Sequence, residues 1–172
     1  TFQLAFSTSA SNCNISVTGT GGNGTGNFNN GVTVTGASAA ITATGTGTIT
    51  LLGTGAGITN SGSDYGLTVA GGAIISTVNG NLTVSNSTGG GAGTGATNYG
   101  VYVTGTNSTI KTTGSGNLSV TGTGGNPSGS GASNYGVYSA IANGLQTTGT
   151  GNVTVTGTGG HTSGTGTYNY GV

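Results

Sequence analysis

Charge is almost absent from this sequence. One Lys (Lys111) and one Asp (Asp64) stand among 172 residues, with no Arg and no Glu, so charged residues make up 1% of the chain and the net charge is zero. An ordinary globular domain carries about 25%. Gripping a phosphate backbone takes clustered Lys and Arg, so nucleic acid is not expected as a partner. Tryptophan and methionine are missing, and proline occurs once. The single Cys13 has no second thiol in the chain to pair with, so it is read as a free thiol or an intermolecular bridge, with no role assigned to it. No apolar run reaches the ~18–20 residues of a membrane helix, and no signal peptide is visible, so membrane insertion is not expected. The chain does not begin with Met, and it is read as a mature segment or a piece of something longer.

The same scarcity bears on chemistry. Hydrolysis or elimination on sugars takes paired carboxylates, or a base with a cation. The whole inventory here is Asp64, Lys111, His161 and Cys13, spread over different parts of the chain. One His makes no metal site, and no glycine run ends in the Gly-Lys-Ser/Thr of a phosphate loop. The expectation is a non-enzyme with no catalytic, cofactor-binding or metal-binding residues and no cofactor.

What the chain has is glycine, 41 residues of it, together with Thr and Ser. That composition also suits a flexible linker, but here it is periodic. Asn-Tyr-Gly-Val stands at Asn98–Val101, Asn134–Val137 and Asn169–Val172, with weaker copies at Asp64–Leu67 and Asn30–Val32. The glycines of these copies (Gly31, Gly66, Gly100, Gly136 and Gly171) are spaced by 35, 34, 36 and 35 residues. A steady period in this range marks a solenoid, a propeller or another array.

Each repeat carries three short runs in which Val, Ile or Leu alternate with Thr or Ser, a strand pattern. The first is Gly100–Val103, with Gly31–Val34, Gly66–Val69 and Gly136–Ser139. The second is Thr109–Gly114, with Ala40–Gly45, Ala73–Val78 and Gly144–Gly149. The third is Asn14–Val17, Thr48–Leu51, Asn81–Val84, Asn117–Val120 and Asn152–Val155. Alternation puts Leu118 and Val120 on one face and Ser119, Thr121 and Thr123 on the other. It puts Tyr99, Val101 and Val103 inside with Tyr102 outside, and sets Ile110 opposite Lys111. The predicted fold is all-β: a parallel β-helix (β-solenoid) of about five rungs of ~35 residues, three short strands per rung and no caps, with glycine corners at positive φ. The whole chain, 1–172, reads as one solenoid segment. Its loops after the third run, such as Gly124–Ser133, are expected to bulge outward.

In a parallel stack, equal positions of successive rungs lie ~4.8 Å apart, so a repeated charge would face its own copy. Neutral side chains stack without that cost. Asn14, Asn81, Asn117 and Asn152 are expected to form one ladder, interrupted by Thr48. Asn98, Asn134 and Asn169 form another, with Asp64 as its one acid. Tyr65, Tyr99, Tyr135 and Tyr170 form an aromatic stack. Sequons at Asn14, Asn81, Asn117 and Asn152 fall in the first ladder, where adjacent glycans would collide.

Joining Val172 to a further copy of Thr1 would place Phe2 in the column of Val34, Val69 and Val103, and neither end has a polar cap. The expected partner is therefore a second copy stacked head to tail, or continuation of the same chain. Outward ranks of Thr and Ser on the third run (Ser16, Thr18, Thr20; Thr83, Ser85; Ser119, Thr121, Thr123; Thr154, Thr156, Thr158) resemble the flat hydroxyl face of ice-binding proteins, with Leu52 and Asn86 interrupting it.

At Gly116–Gly125 (GNLSVTGTGG) and Asn134–Tyr138 (NYGVY), the chain resembles the repeat regions of bacterial surface exoproteins, the filamentous-haemagglutinin-like and autotransporter-type β-strand-repeat proteins. The resemblance runs from about Asn14 onward and rests on composition and period; Phe2–Phe6 and Cys13 depart from it. It implies a right-handed parallel β-helix, secreted or displayed on the cell surface, that serves as a stalk, filament or adhesin. The function expected is thus that of an extracellular structural filament. The alternatives are an adhesin binding glycans through the loops Asn23–Asn30, Asn86–Thr97 or Asn126–Ser133, and an ice-binding protein.

Overall fold

Branched side chains crowd a helix but pack well on a pleated sheet, and their alternation with Thr and Ser gives each strand one apolar face. The computed structural model describes residues 2–4, 7–160 and 163–172, and these hold strands and no helix. With strands numbered in chain order, three five-stranded parallel sheets are formed. The first consists of β1 (Phe2–Leu4), β4 (Val32–Thr35), β7 (Leu67–Ala70), β10 (Val101–Val103) and β13 (Val137–Ser139). The second consists of β2 (Ser7–Ser11), β5 (Ala40–Thr44), β8 (Ile74–Thr77), β11 (Thr109–Thr112) and β14 (Leu145–Thr147). The third consists of β3 (Ile15–Thr20), β6 (Ile49–Thr54), β9 (Leu82–Thr88), β12 (Leu118–Thr123) and β15 (Val153–Thr158). Every strand pairs with its own repeat in the next turn, so the chain winds as a β-solenoid.

Columns follow the period. Leu118 pairs with Leu82 on one side and Val153 on the other; Val101 lies between Leu67 and Val137; Ile110 lies between Ile75 and Leu145. The interior is one apolar cluster, with Ile41, Ile49, Leu51, Leu67, Ile75, Leu82 and Ile110 wholly buried. A single turn has too few of these groups to hold itself closed, so each depends on its neighbours for burial.

Two registers differ from expectation. Phe2 pairs with Val32 and Leu4 with Val34, so Leu4, not Phe2, stands in the Val34 column. Ile15 follows Phe2 by 13 positions where Ile49 follows Val32 by 17. The first turn is shorter, and joining Val172 to Thr1 would not reproduce its register. In β9 an extra residue at Asn86 (φ 39°) makes a bulge. It moves Ser87 into the column of Gly53 and Gly122, and Thr88 into line with Thr54 and Thr123.

Glycine's main role also differs. Only eight described glycines have positive φ, Gly36 and Gly71 among them, while residues such as Ser63, Thr97 and Ser133 take that conformation without being glycine. Most glycines serve close approach instead. A Cβ on Gly122 would stand 2.3 Å from the carbonyl oxygen of Gly136, and one on Gly124 2.2 Å from that of Asn134. The same meeting recurs at Gly19 with Gly31, Gly53 with Gly66, and Gly89 with Asn98. The end of each third strand therefore runs against the Asn-Tyr-Gly that opens the next first strand, backbone on backbone. This is a glycine neck. The two sequence signatures, Val-Thr-Gly-Thr-Gly and Asn-Tyr-Gly-Val, are complementary sides of it.

Beyond the neck the loops are not loose outward excursions. Their backbones bond from turn to turn: Ser63 N–H to Ala96 O (2.9 Å), Thr97 N–H to Ala132 O (3.1 Å), Ser133 N–H to Thr167 O (2.9 Å) and Ser130 N–H to Gly93 O (2.7 Å). Asp64, Asn98 and Asn134 are wholly buried among them. The loops form a second, polar compartment beside the apolar one.

Candidate functional site

The repeated polar and aromatic side chains line up along the solenoid as ladders. In the ladder of Asn14, Thr48, Asn81, Asn117 and Asn152, the amide oxygens of Asn14, Asn81 and Asn117 accept from the backbone of the next turn. Thr48 N–H donates to Asn14 Oδ1 (3.0 Å), Asn117 N–H to Asn81 Oδ1 (3.0 Å) and Asn152 N–H to Asn117 Oδ1 (2.9 Å). The four asparagines are exposed and Thr48 is half-buried. A hydrogen bond that competes with water contributes about 1 kcal/mol, so Asn117→Ala is expected to lower the unfolding free energy by about that much. Denaturant titration checks this, and an unchanged midpoint would mean that the exposed ladder contributes nothing.

The second ladder is buried and runs in the opposite sense. Asp64 N–H donates to Asn98 Oδ1 (2.9 Å), Asn98 N–H to Asn134 Oδ1 (2.9 Å) and Asn134 N–H to Asn169 Oδ1 (2.8 Å). Its first member is Asn29, whose N–H donates to Asp64 Oδ1 (2.7 Å). Sequence reasoning left Asn29 out of the ladder, although it precedes Asp64 by 35 positions. Each amide nitrogen also donates within its own loop, to the carbonyl three residues back: Asn98 to Gly95 (3.2 Å), Asn134 to Gly131 (2.8 Å) and Asn169 to Gly166 (2.9 Å).

The tyrosines form a ridge rather than a single stack. Tyr65, Tyr99, Tyr135 and Tyr170 stack with centroids 5.3, 5.1 and 5.5 Å apart. Tyr102 and Tyr138 form a second column (5.6 Å, interplanar angle 2°) that meets the first edge to face. Tyr99 was expected inside with Val101 and Val103. It lies outside the apolar cluster and packs against Tyr102 at 5.1 Å. The alternation of β10 begins only at Val101, and at Gly100 the chain bends, which turns the preceding ring outward.

Burial pushes the Tyr99 phenol well above its ordinary 10.0, with the neighbouring tyrosines adding to it. Burial raises Tyr65 too, and a hydrogen bond from Ser63 offsets this in part. A raised phenol pKa means that the folded state holds its protons longer than the unfolded one. The contribution of Tyr65 and Tyr99 to stability is complete below pH about 10 and falls away as pH rises beyond it. The melting temperature should fall from about pH 10 upward, less steeply in Tyr99→Phe. A flat profile, or the same slope in both proteins, would contradict this.

Among the described residues, Cys13, Asp64 and Lys111 stand in different parts of the turns, with Asp64 in the buried ladder. Cys13 is exposed, Lys111 is half-buried on the outer side of β11 between Ser76 and Gln146, and His161 lies outside the described residues. Among the described residues no three His, Cys, Asp or Glu side chains gather as a metal site would require. The fold and its ladders define a neutral β-solenoid. No protein-family model, curated protein or solved structure matches the chain.

Proposed function

We propose that the chain is a structural element of a filament or surface stalk, acting by stiffness and resistance to unfolding rather than by turning over a substrate. The supporting observation is that every strand pairs in parallel with its own repeat in the next turn. On every side, backbone bonds, amide ladders and stacked rings join a turn to its neighbour, and no column repeats a charge. A turn of this kind accepts another at no electrostatic cost, from a longer chain or from a second copy. Electron microscopy and sedimentation over a range of concentrations test this. Rods that lengthen with concentration, with a repeat of ~4.8 Å along their axis, are the expected result. Short particles of constant length at every concentration would remove self-stacking.

A second reading has its own support. On the outer face of the third sheet, Thr20, Thr54, Thr88, Thr123 and Thr158 are in register, and Ser16, Thr50, Thr83, Ser119 and Thr154 form a parallel hydroxyl column. Between them stand Leu52 and the Asn86 bulge. Regular hydroxyl columns on a flat sheet suit ordered water, and hence ice. Measurable thermal hysteresis that is lost in Thr121→Tyr would support this reading; none in the unaltered protein would end it.

A further inference from the structure

Six tyrosines touch one another in a single ridge, in a chain whose one cysteine leaves it no disulfide within itself. We propose that the ridge is a site of oxidative tyrosine coupling, in which Tyr138 is joined covalently to a ring it touches (Tyr99, Tyr102 or Tyr135) by a haem peroxidase using hydrogen peroxide. Tyr99 touches four rings but is buried, and Tyr138 touches three. The Tyr138 ring lies 5.2 Å from Tyr99 at 69°, 5.2 Å from Tyr135 at 68° and 5.6 Å from Tyr102 at 2°. It is also the most accessible of the four, 37% exposed against 7% for Tyr99. In the edge-to-face pairs the rim of one ring approaches its neighbour more closely than the centroids do.

Two phenols each give up one electron and one proton and become phenoxyl radicals, whose unpaired spin is shared with the ortho carbons. A carbon–carbon bond forms between two ortho carbons. The two ortho hydrogens then leave as protons while both oxygens are reprotonated, restoring the phenols. The pair has lost two electrons and two protons, and these reduce one hydrogen peroxide to two waters at the peroxidase haem. A link from Tyr138 to Tyr99 or Tyr102 joins adjacent turns, as a disulfide would in a chain with more cysteines.

Exposure alone predicts a different product. Tyr168 is 63% exposed, more than Tyr138, and its one ring contact is Tyr170 at 6.4 Å. The test treats the folded protein with horseradish peroxidase and hydrogen peroxide. Dityrosine fluorescence is read in the monomer band, and linked peptides are mapped by mass spectrometry after unfolding and elastase digestion. The expected result is dityrosine whose yield per chain is independent of protein concentration, in peptides pairing Tyr138 with Tyr99, Tyr102 or Tyr135. Tyr138→Phe keeps the ring packing and should lose most of the yield; Tyr168→Phe, which matches Phe28 at the equivalent position, should keep it. Dityrosine found only in covalent dimers, links confined to Tyr168, an undiminished yield in Tyr138→Phe, or no dityrosine at all would each overturn the proposal.

Discussion

Gly122→Ala is expected to cost about 3 kcal/mol or more and to leave little folded protein at physiological temperature. The added methyl would stand 2.3 Å from Gly136 O and 3.0 Å from both Gly136 C and Val137 Cγ2. Two of these three atoms are backbone, held by the parallel pairing of β13 with β10 and by Val137 N–H donating to Gly171 O at 2.9 Å. A flexible side chain can rotate away from a new methyl, but a backbone bonded on both sides cannot, so relief would require the neck to open. Opening it would separate the apolar interior from the polar loop compartment and unpair both. Gly26→Ala is the companion measurement. Gly26 is exposed, its φ is not positive and a Cβ there meets nothing within 4 Å, so its effect should stay within about 0.5 kcal/mol. Thermal or denaturant unfolding of the two variants decides the matter. If Gly122→Ala melts with Gly26→Ala, the neck is not where the glycines act.

Asp64→Asn is expected to stabilise the protein by about 1–3 kcal/mol. Asp64 is wholly buried, and its Oδ1 accepts from both the N–H (2.7 Å) and Nδ2 (3.0 Å) of Asn29, but its Oδ2 has no partner. At the same place in other turns the amide nitrogen of Asn98, Asn134 or Asn169 donates to the carbonyl three residues back. In the Asp64 loop that carbonyl belongs to Ser61, and a carboxylate brings no donor to it. Ser61 Oγ is buried without a partner as well. An unpaired buried polar atom costs far more than a made bond returns, so supplying the donor should show as a higher melting temperature at neutral pH. The reverse change, Asn134→Asp, should lose a comparable amount by breaking the 2.8 Å bond to Gly131 O. If Asp64→Asn were neutral or destabilising while Asn134→Asp cost nothing, the amide bonds in this ladder would not be what closes the loops.

Much of the architecture is legible without coordinates. The spacing of Gly31, Gly66, Gly100, Gly136 and Gly171 implies the solenoid, and alternation in runs such as Leu118–Val120 identifies the inward face, because both are relations of a repeat to itself. The ladder of Asn14, Asn81, Asn117 and Asn152 follows for the same reason. Tyr99 was misplaced because alternation was extended through Gly100, where the chain bends. The loops were read as excursions because glycine and serine are the usual marks of a solvated turn; the turn-to-turn bonds that bury Asp64, Asn98 and Asn134 have no signature in composition. The extra residue at Asn86 is countable, but a count alone does not say that the bulge restores Thr88 to its column.

By itself, then, the sequence determined the period, the strand faces and which residues stack on their own copies, since parallel stacking matches each position with its equal. Only the tertiary structure decided which unequal positions of one turn meet. The glycines of one signature lie against the Asn-Tyr-Gly of the other, Tyr102 and Tyr138 wedge beside Tyr99 and Tyr135, and Asp64 Oδ2 is left facing no donor. Those meetings depend on how sharply each corner turns and how closely two backbones approach. A glycine permits both outcomes, and only the closed cross-section selects one.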